Sequence, residues 1–342
     1  MEGISNLHLG LRKLMVNRVL KQPFRSRVIN LGDILLDGGV DETKGHISRG
    51  SKASARGTRA WKASSFLKKI REEQKLADMH VHTRVSDGMS APEEVVEQAK
   101  RAGLKAVCIV DHDSIGAVEQ ALWASQNYGV EVIPSIELSS QIGDKEFHIL
   151  GYFVDWRAKW FRDKLVELQE DRRERVKKMI DKLAGLGVKI PYNLVISIDG
   201  GVIGRPHIAM AMLDRGYIKT MQEAFDKYIG HGKPAYVGRY PLTPAEALEI
   251  IHRAGGVPVL AHPVFARADH MLPELVEQGL RGIEVYHSRH DASTTKHYKQ
   301  LAKKYGLLIT GGSDSHGREV SVGSVRVPYS FIENLKKEVA KG

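Results

Sequence analysis

HVHTRVSDG, residues 80–88, carries the strongest structural signal in this 342-residue chain. His80 and His82 alternate, as two residues on one face of a β-strand do, and Asp87 follows shortly after them, beside Gly88. A lone His-x-His pair can also be a satisfied polar group at the end of a sheet. With a carboxylate close by, the segment indicates a metal site of nitrogen and oxygen ligands.

Nearly every later group of potential ligands lies where a short, β-branched apolar run stops, as AVCIV at 106–110 does before His112. Glu137 is expected to end the next run, at 130–137, in the same way. Such runs are typical of parallel strands buried on both faces. Ligands at the carboxyl ends of parallel strands converge on one rim of a barrel. The candidate metal ligands are His80, His82, Asp87, His112, Glu137, His148, His262, Asp314 and His316.

No nucleophilic side chain stands in a recognisable catalytic motif. Cys108 is the only cysteine of the sequence, and it lies inside an apolar run that is predicted to be core. The sequence contains no GxSxG elbow, no GxxxxGK[ST] loop and no GxGxxG fingerprint. These absences argue against a serine hydrolase, a P-loop NTPase and a dinucleotide-binding dehydrogenase.

The ordered series HxH…D, DH, E…H, H and DxH resembles the PHP (polymerase and histidinol phosphatase) phosphoesterases over residues 77 to about 330. It is most similar to the branch that contains nucleoside 3',5'-bisphosphate phosphatases and 5'-to-3' exoribonucleases acting on short RNA. The resemblance implies an α/β fold, a distorted seven-stranded β/α barrel with a small inserted helical domain. It also implies a cluster of three divalent metal ions.

The resemblance implies three ligand groups that share one bridging carboxylate. The first metal is held by His80, His82, Glu137 and Asp314. The second metal is held by Asp87, His112 and His316. The third metal is held by His148 and His262 together with the bridging Glu137. Some family members have His at the position of Asp87, and metal identity stays open among Mn, Fe and Zn.

The expected chemistry follows from such a cluster. Two metal ions a few ångströms apart can share a water, lower its pKa toward neutrality and direct the hydroxide at a phosphorus atom. A third ion neutralises charge on the phosphoryl oxygens, and no protein nucleophile is required. The side chains expected to serve this reaction most directly are Asp87, Glu137, Asp314 and His316.

Four segments that differ in composition and residue pattern predict the domain organisation. Residues 1–75 form a basic N-terminal extension, expected to be poorly ordered. The barrel is predicted over residues 76–156 and 235–335, and residues 157–234 are predicted to be the inserted helical domain. The resemblance begins only at residue 77, so the extension has no counterpart in it.

The insert is predicted to begin with a long amphipathic helix over residues 161–187. Shorter helices are predicted at 206–215 and 220–229. The charged run at 170–178 is predicted to be a solvated helix face. The apolar stripe of the long helix consists of Leu165, Leu168, Val176, Ile180 and Leu183.

Two segments, GRPHIA at 204–209 and HGKPAYVGR at 231–239, offer positive charge for a substrate phosphate. The proline of GRPH is expected at a helix start, which puts Arg205 and His207 beside free backbone amides. The alternative is that His207 caps and packs the insert while Arg239 makes a surface ion pair. The residues predicted to bind substrate are Arg205, His207, Lys233, Arg239 and His287.

Charge is distributed unevenly along the chain. Residues 1–75 contain 16 Lys and Arg against 7 Asp and Glu, so they account for +9 of the formal net charge of +10. Basicity therefore does not argue that the barrel itself binds nucleic acid. The extension can be interpreted as an arm that contacts RNA, a transit-like segment, or the product of a wrongly assigned start codon.

The predicted location is the cytoplasm, because one cysteine fits a reducing compartment and no apolar run approaches the ~18 residues of a membrane span. No obligate protein partner is evident. The predicted function is a metal-dependent phosphoesterase that removes the 3'-phosphate of nucleoside 3',5'-bisphosphates, trims short RNA from its 5' end, or does both. The alternatives are a phosphatase for another small monoester such as histidinol phosphate, and a non-catalytic metal-containing module that binds nucleic acid.

Overall fold

The computed structural model describes residues 75–143, 145–197, 201–238, 242–317 and 319–341. Residues 1–74, which include nearly all of the predicted extension, and Arg239 lie outside this part of the chain. The strands are β1 (Leu76–Val81), β2 (Ala106–Ile109), β3 (Glu131–Ile142), β4 (Lys145–Tyr152), β5 (Val257–Leu260), β6 (Gly282–His287), β7 (Leu308–Gly312) and β8 (Val327–Pro328).

The helices alternate with the strands except in the middle of the chain, where several helices follow one another. They are α1 (Pro92–Arg101), α2 (Val118–Tyr128), α3 (Lys159–Gly185), α4 (Tyr192–Ser197), α5 (Arg205–Asp214), α6 (Met221–Ala224), α7 (Pro244–Arg253), α8 (Pro263–Ala266), α9 (Leu272–Glu277), α10 (Ala292–Tyr305) and α11 (Ser330–Val339). A π-helical turn at Phe225–Ile229 continues α6. Among the described helices, none combines the length and apolar character that a membrane span requires.

The strands form one mixed sheet in the order β7-β6-β5-β4-β3-β2-β1-β8. Neighbouring strands are parallel from β1 to β3 and from β5 to β7. Strand β4 runs antiparallel to both β3 and β5, and the short β8 is antiparallel to β1. The predicted β/α barrel is confirmed, with a hairpin in its middle and a two-residue eighth strand at its edge.

Backbone hydrogen bonds close the barrel between its first and seventh strands. The Asp314 N–H donates to the His80 carbonyl at 2.8 Å, and the His82 N–H donates to the Ser315 carbonyl at 2.9 Å. The buried Asp78 carboxylate accepts the Ser313 N–H at 2.8 Å. A Cβ at Gly312 would lie 2.3 Å from the His80 nitrogen, so this close approach requires glycine.

The prediction that Glu137 ends its strand is wrong. Strand β3 continues to Ile142 and pairs with β4 along its outer half, which places Glu137 in the middle of the strand, opposite Leu150. The apolar run stops at residue 137, but the strand does not end there. The polar residues beyond Glu137 still pair with β4 in the hairpin. Ser140, for example, donates its hydroxyl to the Phe147 carbonyl at 3.0 Å.

Of three hydrophobic clusters among the described residues, one forms the barrel core and a second lies among the central helices. The barrel core includes Ile136, Ile149 and Tyr152, all fully buried. The second cluster lies among α3, α4 and α5 and includes Met179, Leu183 and Ile208. The central helices thus have a core of their own, while the assignment of residues 157–234 as an inserted domain stays a prediction.

The charged run of α3, residues 170–178, is a solvated face as predicted for most of its charged side chains, but two of its arginines are buried. Arg172 and Arg175 are only 6% and 5% exposed and point toward the barrel, whereas Arg173, between them, is exposed. Both buried arginines reach carboxylates outside their own helix, Asp113 and Glu146. Burial of an arginine is favourable only with such partners, which are distant in sequence.

Candidate metal centre

The structure brings all nine candidate ligands into one cluster around a buried carboxylate. Glu137, from the middle of β3, is fully buried, and five histidines lie within 3.4 Å of its two oxygens. The shortest approaches are from His148 Nδ1 at 2.9 Å and His262 Nε2 at 3.0 Å, both to Oε1. Its other oxygen faces His82, His112 and His80 at 3.2, 3.3 and 3.4 Å.

The remaining carboxylates, Asp87 and Asp314, lie on either side of His82. His82 Nε2 is 3.2 Å from Asp314 Oδ1, and His82 Nδ1 is 3.8 Å from Asp87 Oδ1. His316 Nε2 approaches Asp87 at 3.2 Å. Four overlapping sets have ligand atoms within 4.8 Å of one another: His82, Asp87, His112 and His316; His80, His82 and Asp314; His80, Glu137 and His262; His112, Glu137 and His148.

The donor atoms are better placed to bind divalent ions than to form hydrogen bonds with one another. Among the described residues, His82 Nδ1, His112 Nδ1 and Glu137 Oε2 are buried atoms that make no hydrogen bond. A buried polar atom without a hydrogen bond costs about 1–3 kcal/mol, so such atoms in one cluster indicate a missing partner. Imidazole and carboxylate donors suit Mn, Fe and Zn. The cluster therefore fits bound divalent metal.

Charge inside the cluster sets the protonation of its ligands. Burial would raise the pKa of Glu137, but the charges of His112 and His148 outweigh it and hold this pKa well below its usual range. Burial lowers the pKa of His82, but the close carboxylates of Asp314 and Glu137 outweigh it and raise the pKa to about 10. Metal binding therefore finds an ionised Glu137 and has to displace a proton from His82.

Several residues at the centre hold a left-handed backbone that is uncommon for residues other than glycine. Their φ angles are 48° at Asp113, 22° at His262 and 53° at Asp314. Such conformations cost free energy and persist only where surrounding contacts impose them, which is common at functional sites. Here they turn the chain at the barrel rim so that His262 and Asp314 face the cluster.

Three buried carboxylates position the ligands, and the sequence analysis did not assign any of them this role. Glu284, from β6, lies 3.0 Å from His80 Nδ1 and accepts the His262 N–H at 2.7 Å. Asp111 accepts hydrogen bonds from the Thr83 N–H and the Ser86 hydroxyl, at 2.7 and 2.6 Å. Asp111 thus shapes the loop that carries Asp87, and Asp78 ties β1 to Ser313. The signal for Glu284 was a lone acid inside the apolar run IEVYH.

Replacing Glu284 by glutamine is expected to lower metal affinity by about 10- to 100-fold. A carboxylate that holds the second nitrogen of a metal-binding histidine fixes the ring and raises its basicity, and its loss typically has an effect of this size. Isothermal titration of Mn into metal-free protein measures it. Glu277→Gln, an exposed change on α9, is the control and should leave the affinity unchanged. Equal affinities for both variants would contradict the positioning role.

The structure places four of the five predicted substrate-binding residues, Arg239 being outside the described ranges. Arg205 begins α5 and contacts Glu146. His207 is fully buried and accepts the Gly204 N–H at 3.1 Å, the geometry expected if it caps the helix. His287 is buried, with Nε2 3.2 Å from Asp314 Oδ2, so it lies against the cluster itself. Lys233 is exposed in a turn.

A group of arginines borders the cluster on the side of the central helices. Arg175 and Arg205 both contact Glu146, which lies two residues before His148 on β4. Residues two apart on a strand share a face and are about 7 Å apart. Burial, and then the charge of Arg205, lower the pKa of Arg175 to about 10, so it stays protonated at neutral pH. Positive charge therefore lies one strand step from the candidate metal site.

Known proteins are similar to this chain in both sequence and fold. The PHP domain description matches residues 78–233. A 3',5'-nucleoside bisphosphate phosphatase from Chromobacterium violaceum is 31% identical over 258 residues, 71% of this chain and 90% of that protein. A 5'-3' exoribonuclease from Haemophilus influenzae is 29% identical over 248 residues, 70% of this chain and 89% of that protein.

A solved structure gives the same result for the fold. A crystal structure from Bifidobacterium adolescentis, whose description proposes a metal-dependent phosphoesterase, superposes with a TM-score of 0.71 at 28% identity. It covers 76% of this chain and 94% of that chain. These likenesses confirm the predicted family and the predicted class of enzyme. The chain belongs to the PHP family and is a metal-dependent phosphoesterase.

Proposed function

We propose that this phosphoesterase acts on small nucleotides that carry two phosphates, removing the 3'-phosphate of nucleoside 3',5'-bisphosphates and trimming short RNA from its 5' end. The observation that carries the proposal is the pair Arg175 and Arg205, which share the single carboxylate Glu146. Among the described residues, Glu146 is the one carboxylate paired with these two guanidinium groups, so it offsets only one of their two positive charges. Glu146, which both arginines contact, lies about 7 Å along β4 from His148, a spacing that suits a second phosphate across a ribose.

Within this pair, we assign the phosphate contact to Arg205. Its side chain is 20% exposed, against 5% for Arg175, and it lies at the N-terminus of α5, where free N–H groups favour anions. His207 is buried in the same helix turn, so we assign it to holding the turn in place and not to direct contact. Lys233 and Arg239 are proposed to add positive charge for the substrate.

We propose that three metal ions occupy the centre, with the nine ligands divided as the family resemblance implies and Glu137 bridging. Bound divalent ions would activate water and polarise the phosphoryl group. The protein's own contribution is to fix the ligands through Glu284 and Asp111 and to hold the second phosphate through Arg205. The proposed location is the cytoplasm, since the buried Cys108 is a free thiol, as expected in a reducing compartment.

Phosphate release by purified protein with added Mn tests the proposal. Release is expected from adenosine 3',5'-bisphosphate, and nucleotides are expected from a short 5'-phosphorylated RNA, both abolished by a chelator. Arg205→Met should lower kcat/KM for the bisphosphate by about 10- to 150-fold, the value of a hydrogen bond to a charged group. Arg215→Met, an exposed change at the other end of α5, should have no effect.

Rival substrates decide between the alternatives. Faster turnover of histidinol phosphate than of the bisphosphate would favour the small-monoester phosphatase. Equal losses for Arg205→Met on the bisphosphate and on adenosine 3'-monophosphate, which keeps the reacting phosphate but lacks the second one, would contradict the second phosphate site. No release from any substrate by metal-loaded protein would favour a module that binds nucleic acid without catalysis.

A further inference from the structure

An exposed phenylalanine lies beside the metal centre. Phe265 is 56% exposed, although its ring centroid is only 5.1 Å from that of His262. The same ring lies 5.9 Å from the ring of His287, at an interplanar angle of 88°. An aromatic side chain therefore borders the cluster and presents more than half of its surface to solvent.

The backbone of α8 holds Phe265 in this outward position. His262, just before the helix, and Arg267, just after it, have left-handed φ angles of 22° and 47°. Between them, Val264 and Ala266 pack against the barrel core. The Phe265 N–H donates to the His262 carbonyl at 3.1 Å. Phe265 is thus turned outward by a short helix whose other apolar residues are anchored.

Exposure of a single aromatic side chain is ordinary on protein surfaces, so the position of Phe265 is what distinguishes it. Trp123 and Tyr217 are also exposed, at 63% and 38%. Within the described part of the chain, neither of them makes a ring contact with a cluster histidine, whereas Phe265 contacts two histidines of the centre.

We propose that Phe265 forms a base-binding subsite, on which the nucleobase of the substrate stacks while its phosphate is attacked at the metal centre. This inference rests on the proposed function and adds the part of the substrate that is recognised apart from its phosphates. His262 is both a candidate ligand and a ring neighbour of Phe265, so the subsite lies next to the reacting phosphate. The sugar of one nucleotide can span that separation.

The chemistry of stacking sets the expected specificity. Every nucleobase has a π face, so stacking on an aromatic ring stabilises all four bases with little preference. The contact is worth ~1–3 kcal/mol per base, which is about 5- to 150-fold in affinity. The enzyme should therefore accept purine and pyrimidine nucleotides and discriminate against phosphate esters that have no base.

Kinetics with and without the base test the subsite. The substrates are adenosine 3',5'-bisphosphate and 1-deoxyribose 3,5-bisphosphate, which lacks the base. Phe265→Ala should raise KM for the adenosine substrate by about 5- to 150-fold with little change in kcat, and should leave both constants unchanged for the base-free substrate. Phe265→Tyr should behave like the wild type because it keeps the ring. Trp123→Ala, the loss of an equally exposed aromatic side chain, should change neither substrate.

Other outcomes would overturn the inference. Equal losses on both substrates would show that Phe265 only supports His262, and no loss on either would show that no base contacts it. Binding of AMP and of ribose 5-phosphate, measured by calorimetry, gives a readout that needs no turnover. If the protein hydrolyses neither bisphosphate, the proposed function fails, yet the subsite still predicts that Phe265→Ala weakens AMP binding alone. Unchanged AMP binding would then reject the subsite as well.

Discussion

Replacing Glu137 by glutamine is expected to lower turnover at least about 10³-fold. Glutamine keeps the shape of the side chain but removes its charge and turns one oxygen into an NH₂ group. That group would face two or three of the five histidines that now surround the carboxylate. Stabilisation of a transition state by bound metal is worth several kcal/mol, and a loss of about 4 kcal/mol corresponds to 10³ in rate.

The same variant should also bind less metal, which elemental analysis of dialysed protein measures. Glu131→Gln, the same substitution on the same strand, is the control. Glu131 is bonded to Lys336 and Tyr329 and to no cluster histidine, so turnover and metal content should stay at the wild-type level. If Glu137→Gln retained full turnover, the bridging role of this carboxylate would be wrong.

Replacing Arg172 by methionine is expected to lower the free energy of unfolding by about 3–5 kcal/mol. Arg172 is buried and donates through Nε to Asp113 at 2.6 Å and through a terminal nitrogen to the Ser139 hydroxyl at 3.0 Å. Methionine keeps much of the apolar volume, but the buried Asp113 carboxylate would lose its counter-charge. Breaking a buried ion pair from one side has a cost of this size.

Urea denaturation followed by circular dichroism measures the loss. Arg173→Met is the matched control. Arg173, the neighbour of Arg172, pairs with Glu170 on the exposed face of the helix, and such surface ion pairs contribute little to stability. Its effect should stay within about 0.5 kcal/mol. Adding Asp113→Asn to Arg172→Met should restore part of the stability, since the uncompensated charge is then removed. A loss below about 1 kcal/mol for Arg172→Met would contradict the buried pair.

The barrel and the candidate ligands could be predicted because their signals are local. His80 and His82 alternate at the end of one strand, and His112, His262 and Asp314 each lie two or three residues after a short strand. Once the strands form a barrel, residues at those positions converge whatever the details of packing. The family resemblance then supplied the division among three metals, which stays a prediction.

The features that could not be predicted depend on contacts between distant parts of the chain. A charged helix face looks solvated in sequence, and only the fold brings Asp113 and Glu146 to Arg172 and Arg175. Glu284 reads as a single acid in an apolar run until β6 places it against His80. The continuation of β3 past Glu137 depends on pairing with β4, which a run of apolar residues does not encode.

The closure of the barrel between β1 and β7 also determines when, during synthesis of the chain, the metal centre can be completed. Asp78 and its partner Ser313 are 235 residues apart in the chain. At typical rates of translation, about 10–50 s separate the synthesis of the two segments. His80 and His82 leave the ribosome early, but Asp314 and His316 arrive only when most of the chain has been made. A growing chain therefore carries an incomplete metal centre, and hydrolysis of phosphate esters begins only after β7 has closed the barrel.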